Sequence, residues 1–321
     1  MTADSIEDQI HNLVAAARMY YEQDLSQDEI AKALGKSRPT VSRMLAAARK
    51  QGIVHIEIRP PLTRLVPLER ALQERFRLED ARVVRSTSGE PDTADHLGRA
   101  AANYLQSVLR DGMALGVSNG RSLAATARFL QPELAVHINV VQIIGALGHD
   151  NPAIDGPDVA RAFATAYDAT CRYLHVPILV ESPVIKQTLM RDRNIAQTLR
   201  VGANVDVAVV GVGTLDPTNQ SPIFEGLITQ KDIVKTRQAG GIGHICGEFY
   251  TATGARVQAN LNDRTISIGL DAMKRIPKVI AVAGGASKAT AIVAGLRGGY
   301  FNTLITDDRA AERMLRMTPV R

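Results

Sequence analysis

Tryptophan is absent from this 321-residue chain, and aromatic residues make up only 4% of it. A ligand site built as a broad aromatic cleft is therefore not expected. Cysteine is scarce too. Cys171 and Cys246 lie far apart and form no C-x-x-C pair, which argues against a disulfide scaffold and against a cysteine zinc site. The seven histidines are scattered, with no H-x-x-x-H spacing, so neither a histidine metal site nor a cofactor is expected. No apolar run approaches the roughly 18–20 residues needed to span a bilayer. The opening MTADSIEDQI is acidic and polar, unlike a signal peptide. These absences point to the cytoplasm and to no membrane partner. What is present is ordinary for folded protein, 45% apolar and 22% charged residues. The length suits two domains, one of them large.

The formal charge of +5 says little alone, but it is unevenly placed. Residues 36–50 carry Lys36, Arg38, Arg43, Arg49 and Lys50 and no acid, whereas 22–29 carry Glu22, Asp24, Asp28 and Glu29 and no base. Such polarity gives a small domain one positive face, suited to a phosphate backbone, although a merely solvated helix face would read the same. The residue pattern separates the two readings. Ile10, Leu13, Val14, Ala17 and Tyr21 form a helical stripe over 6–22. Ser26 followed by Glu29 is a capping box, so a second helix starts there and stops at Gly35. Ser37 or Arg38 caps a third, with Pro39 in its first turn and Gly52 past its end. Two short helices around a tight turn make a helix-turn-helix. Val41, Met44, Leu45 and Ala48 face inward, and Thr40, Arg43, Ala47 and Lys50 face outward. Ser37, Arg38, Thr40, Ser42 and Arg43 stand at the end that would enter a major groove, with Arg43 placed to reach a base edge and Gln27 and Lys36 to hold phosphates. The competing reading is a helical hairpin that meets no nucleic acid. Residues 53–58 alternate as a short strand, a candidate wing, and Arg59-Pro60-Pro61 to Pro67 reads as a linker. The expected division is thus a head over 1–58, a linker over 59–67 and a large domain over 68–321.

Beyond residue 68 helical patterns (68–77, 93–109, 122–130, 157–171, 184–200, 228–238, 286–297, 307–316) alternate with apolar strands (81–85, 113–117, 138–144, 205–211, 242–246, 278–283, 302–305). The fold class this predicts is α/β, a mainly parallel sheet covered by helices. Ligands in such folds bind at the carboxyl ends of strands. Three glycine loops stand there. Gly116-Val117-Ser118-Asn119-Gly120-Arg121-Ser122 lets backbone and hydroxyls approach an anion at a helix start, and lacks the lysine of a Walker A loop. Ala283-Gly284-Gly285-Ala286-Ser287-Lys288 puts a cation in a first helical turn, where an anionic ligand would offset its unfavourable position. Gly211 to Asp216 could line a pocket, and His244, Gly247 and Glu248 follow another strand, with Glu248 placed to bond a sugar hydroxyl. Plain strand-to-helix turns, a surface lysine and an exposed loop acid are the competing readings.

Taken together, Ser26–Ala31 with Ser37–Met44, Gly116–Arg121, Val140–Gly145, Ile245–Tyr250, Ile280–Lys288 and Leu304–Asp307 make the chain resemble, over nearly its whole length, the SorC-type sugar-binding transcriptional regulators, a group often filed under DeoR-like repressors. The resemblance implies a sensing domain related in fold to sugar-phosphate isomerases and CoA transferases. It further implies a phosphorylated sugar or polyol as effector, and a homo-oligomer, tetramer or dimer, on paired operator half-sites in double-stranded DNA. By the resemblance, the loop Ser118, Asn119, Gly120, Arg121 and Ser122 holds the phosphate side, with Lys288 and Glu248 on the sugar side; Gly116 and Gln142 are expected to complete the effector site. His244 stands where an acid is common in the family, and Asn119 where an aromatic is common. The expected function is a ligand-controlled operator-binding regulator, a repressor of a carbohydrate catabolic operon and not an enzyme. Two alternatives stay open: a sugar-phosphate isomerase with Glu248 as base and a DNA-binding head, and a constitutive DNA binder with an empty pocket.

Overall fold

The computed structural model describes residues 3–54, 63–86, 90–132, 136–148, 152–216 and 227–317, with side chains described from residue 10 onward except at 90–92. The chain falls into two compact units, residues 1–61 and 62–321.

The first unit holds α1 (Ala3–Tyr21), α2 (Gln27–Ala33) and α3 (Arg38–Lys50). Its helix ends follow from residues a few positions apart. Ser26 Oγ accepts the Glu29 N–H at 3.3 Å, and the Ser26 N–H donates back to Glu29 Oε2 at 2.8 Å. Gly35, at φ +62°, ends α2 in the left-handed conformation, and the Lys36 N–H returns to the Ala31 carbonyl. Ser37 then caps α3 through the Thr40 N–H, and Gly52 closes it in the same left-handed way. Ala16, Ile30, Ala31, Val41 and Leu45 are buried together, and Leu13, Ala17 and Ala48 form an adjoining cluster. Complete burial of Val41 alone is worth about 1.5–3 kcal/mol.

Several expectations need correcting here. Ile10 and Tyr21 are exposed, because the inward face of α1 runs through Leu13, Ala16 and Ala17. Ala47 is half-buried against the second cluster, and Ala46 is the exposed alanine. Most of the wing expected at 53–58 lies outside the described residues, while Ile53 and Val54 pack on Leu13, Ala17 and Ala48. Residues 59–62 of the expected 59–67 linker also lie outside them. Pro67, its expected end, sits instead in the first turn of α4 (Val66–Phe76), where a missing N–H removes no helical bond.

The second unit is a seven-stranded sheet covered on both faces. It comprises β1 (Asp80–Val84), β2 (Ala114–Val117), β3 (Asn139–Gln142), β4 (Thr170–Arg172), β5 (Val207–Gly211), β9 (Lys278–Val282) and β10 (Thr303–Asp307). The order is β1-β10-β9-β5-β2-β3-β4, with every neighbouring pair parallel. Alternate residues go to opposite faces, as strand geometry requires. Val207, Val209, Leu115 and Val117 join one core with side chains of α5 (Glu90–Val108), α6 (Arg121–Phe129) and α7 (Gly156–Ala166). Ala208, Val210, Val141 and Ile143 join the other with those of α4, α13 (Ala289–Arg297) and α14 (Asp308–Leu315). After β2 the chain builds outward through β3 and β4, then returns to the other side of β2 as β5. The carboxyl ends of β2 and β5 therefore flank a topological switch point.

Four elements differ from the pattern reading. The helix expected at 157–171 stops at Ala166, turns at Asp168 with φ +47°, and gives way to β4, so Cys171 is in a strand. The helix expected at 184–200 is two, α8 (Pro183–Arg191) and α9 (Arg193–Gly202). They break where Asp192 Oδ1 accepts the Asn194 and Ile195 N–H groups. The strand expected at 242–246 belongs to a separate antiparallel sheet of β6 (Gly213–Thr214), β7 (Gly241–Ile245) and β8 (Glu248–Thr251). Cys246 and Gly247, both left-handed at φ +46° and +76°, make its two-residue hairpin turn. The helix expected at 286–297 opens as a 3-10 turn over Ala286–Lys288 that leads into α13. The remaining short elements are α10 (Gln230–Gln238), α11 (Asn260–Arg264) and α12 (Leu270–Met273).

Candidate functional site

Two regions carry chemistry. In the first unit, Lys36, Ser37, Arg38, Ser42 and Arg43 are exposed, and Gln27 and Thr40 are half-buried. Ser37 Oγ bonds Thr40 Oγ1 at 2.8 Å as well as capping α3, so part of its hydrogen-bonding capacity is structural. The Arg43 Nε donates to the Pro39 carbonyl at 3.4 Å, which lays its stem along α3. Arg38 stands 3.7 Å from Asp28, both side chains about two-thirds exposed, and an exposed pair of this kind yields readily to a phosphate.

In the second unit, four segments meet at the carboxyl ends of β2, β5, β9 and β10. The Ser118 N–H donates to the Val209 carbonyl at 3.1 Å, which ties the loop after β2 to β5. Ser118 also hydrogen-bonds the buried Cys246 thiol in the hairpin turn, and burial holds that thiol well above its ordinary pKa. Asn119 is 5% exposed, and its Nδ2 is buried without a hydrogen-bond partner. Gly120, at φ +109°, is the N-cap of α6 and supplies no side-chain cap, so the helix opens on bare backbone. Its own N–H reaches the Ile154 carbonyl. Arg121 is exposed and Ser122 half-buried at the start of α6.

The loop after β9 is shaped by Asp307. This fully buried carboxylate accepts the Gly285 and Ala310 N–H groups, each at 2.7 Å, and burial raises its pKa. A Cβ at Gly284 would lie 2.6 Å from Asp307 Oδ2, so only glycine admits this approach. Gly285 caps the following turn at φ +93° without a side chain, and Lys288 is half-buried at its end. Burial first, and the Lys288 cation second, push His244 down to about 3. Its ring lies over Gly213, where a Cβ would come within 1.8 Å of Nε2. The ring is therefore neutral at physiological pH.

The other expected site residues are placed differently. Gly116 lies inside β2, and a Cβ there would meet Ile143 and Val205, so its glycine answers to core packing. The Gln142 amide bonds main chain at both ends, donating to the Ile144 carbonyl at 2.7 Å and accepting from the Leu174 N–H at 3.1 Å. Glu248 accepts the Leu270 N–H at 3.1 Å and stands 3.7 Å from Arg256. In the hairpin it pairs with Ile245, the register position next to the His244–Phe249 pair, and so falls on the other face from His244. The structure thus gathers Ser118–Ser122, His244 and Gly285–Lys288, and it turns Gln142 and Glu248 to main-chain groups. Sequence reasoning overlooked Asp307 and Asp155 as organisers; Asp155 accepts the Leu147, Gly148 and Gly156 N–H groups. The available signal was an Asp directly before a helix start. No group of three or more potential metal-ligating side chains occurs among the described residues, and none of their helices is long and apolar enough to cross a membrane.

Residues 60–316 match the family described as "Putative sugar-binding domain", and residues 10–70 match the Crp-like helix-turn-helix domain. The deoxyribonucleoside regulator of Bacillus subtilis is 32% identical over 304 residues, covering 94% of this chain and 96% of that protein. The sorbitol operon regulator of Klebsiella pneumoniae is 30% identical over 316 residues, covering 96% and 99%. The crystal structure of that full-length regulator, SorC, superimposes with a TM-score of 0.71 at 28% identity, covering 96% of this chain and all of that one (100%).

Proposed function

The chain belongs to the SorC-type family of transcriptional regulators, which join a sugar-binding domain to a helix-turn-helix, and from that premise we propose that it is a cytoplasmic repressor of a carbohydrate catabolic operon, released or retained by a small phosphorylated carbohydrate. In this reading Arg43, Arg38, Thr40, Ser42 and Ser37 meet the operator's major groove, with Gln27 and Lys36 on its phosphates. Ser118–Ser122 and Lys288 hold the effector, and residues 68–321 carry both sensing and homo-oligomer assembly, as dimer or tetramer. The observation that supports it is the pairing, in one chain, of an exposed basic recognition helix with bare helix starts at a switch point. An effector that favours one assembly state over another changes DNA affinity by the same coupling, typically about 1–3 kcal/mol. The isomerase reading is not adopted, because the Glu248 carboxylate already accepts the Leu270 N–H beside Arg256.

The test uses the full chain and an operator selected from random duplex DNA. Operator affinity is measured across a panel of sugar phosphates, with about a 5- to 150-fold change expected for the cognate compound. A flat response in both affinity and melting temperature would leave a constitutive DNA binder and sink the proposal.

A further inference from the structure

Among the described residues, α8 (Pro183–Arg191) is the one α-helix without a buried residue. Its start is set locally, by Pro183 in the first turn and by Ser182 Oγ, which accepts the Ile185 N–H at 3.3 Å. One side of it is held to the large unit. Lys186 Nζ donates to the Asn262 carbonyl of α11 at 3.1 Å, and Leu189 packs half-buried on Leu174, Val176, Val180, Leu199 and Ile266. A helix of nine residues is marginal in water by itself, and most helical stability comes from packing an apolar face.

The other side of α8 has an apolar face that its own chain leaves bare. Val184 is 69% exposed, the most of any large hydrophobic side chain among the described residues, and Ile185 is 42% exposed. Val184, Ile185, Thr188 and Arg191 recur at spacings of three and four, so they share one face. The Thr188 hydroxyl donates to the Val184 carbonyl at 3.0 Å, so covering it breaks no bond to water that it needs. The charges stand at the two ends. Glu181 lies just before the helix and Arg191 is its last residue, both exposed, and neither has an ion-pair partner among the described residues.

An acid at one end, a base at the other and apolar side chains between make a self-complementary stripe. Turned antiparallel about a twofold axis at its middle, the stripe sets acid against base at both ends, as an isologous contact requires. The helix dipoles also oppose favourably in that arrangement. One acid and one base leave the stripe neutral, which does not suit a phosphate backbone or an anionic membrane. Resting on the reading that residues 68–321 assemble as a homo-oligomer, we infer that this face of α8 docks on α8 of a second copy, antiparallel across a twofold axis. Glu181 of each copy meets Arg191 of the other, and Val184 and Ile185 are covered between them. Each helix is about 13 Å long, and the pair buries less than the roughly 1,000 Å² that an interface needs by itself. The contact therefore adds to an assembly whose other contacts already hold the copies at high local concentration.

The test follows dissociation of the full chain on dilution, by sedimentation and mass photometry at low ionic strength, where exposed pairs are least screened. Val184→Glu sets two acids into one symmetric contact and should weaken the assembly step at least about tenfold. Glu181→Arg and Arg191→Glu should each weaken it severalfold. The double reversal exchanges the ends and keeps them matched, so it should restore assembly to within about twofold of the unaltered chain, a recovery that a role inside one chain does not produce. All these side chains are exposed, so circular dichroism should show the fold unchanged; if Val184→Glu fails to fold, the charge reversals decide. Dissociation that ignores Val184→Glu in a folded chain overturns the inference, gives the face to another partner, and leaves the homo-oligomer reading standing. A double reversal no tighter than the single changes overturns the antiparallel pairing and the inference with it. An unaltered chain that is monomeric at every concentration overturns the homo-oligomer reading itself.

Discussion

The two units are organised on different length scales. In the helix-turn-helix unit each defining contact is made between near neighbours, Ser26 with Glu29, Ser37 with Thr40, and Lys36 with Ala31. In the large unit the contacts that shape the candidate site join distant segments. Ser118 bonds Val209, Cys246 meets Ser118, and both Gly285 to Asp307 and Leu270 to Glu248 span 22 residues. The difference teaches where each function is vulnerable. The DNA-reading surface rests on a few local caps and one small core, so a single side chain there can undo it. The sensing surface rests on a large two-faced core, and changing it takes a disturbance of long-range contacts or of the ionisation they impose.

The largest expected break in that comparison is Val41→Asp. It places an unpaired charge in the centre of the small core, and should cost the first unit at least about 3 kcal/mol. Calorimetry should then show loss of the transition assigned to residues 1–61 with the second transition in place. Equal destabilisation of both would show that the units do not fold independently.

A smaller effect, confined to the large unit, comes from His244. Its pKa in the fold is depressed from 6.5 to about 3 by burial and by Lys288, so the unfolded chain binds the extra proton first. The stability this neutral histidine contributes is present above pH 6.5 and is lost as the pH falls from 6.5 toward 3, by about 1.4 kcal/mol per pH unit. Denaturant titrations between pH 7 and 4.5 check it: His244→Gln should remove most of that slope. An unchanged slope in the variant would mean that the imidazole is not the group responsible.

The smallest effect on stability sharpens the comparison from the other side. Arg43→Ala should change the melting temperature little, since the side chain is exposed and makes one long bond to its own helix. Operator affinity should fall by about 1–3 kcal/mol, with relaxed preference at one base position. Intact affinity and preference would remove Arg43 from the reading surface.

What was legible followed the same division. The capping box, the two glycine stops and the inward Val41 are signals contained within a turn of helix, and all of them appear in the first unit as the sequence implies. The alternating apolar runs likewise announced a parallel sheet, because strands covered on both faces must be apolar throughout. The errors came where local pattern and tertiary context disagree. Cys171 continues an apolar helical period, yet edge pairing with β3 draws it into β4. Glu248 looks like a loop acid after a strand. It starts a strand instead, because Cys246 and Gly247 adopt a left-handed pair that no periodicity rule detects. Gln142 carries the same amide whether it faces a ligand or two main-chain groups, and only the neighbours of β3 decide which.

The sequence by itself determined the class of this protein: a capped helical pair with an acid-free basic stretch, followed by a long α/β pattern with glycine turns at strand ends. Those features depend on backbone propensity and on periods of a few residues, which any single chain displays. Only the tertiary structure decided which of the turns face one another, which carboxylates are already occupied, and that His244 is neutral beside Lys288. Those outcomes depend on burial and on contacts between segments far apart in the chain, and desolvation and pairing are properties of the folded neighbourhood, not of the residue.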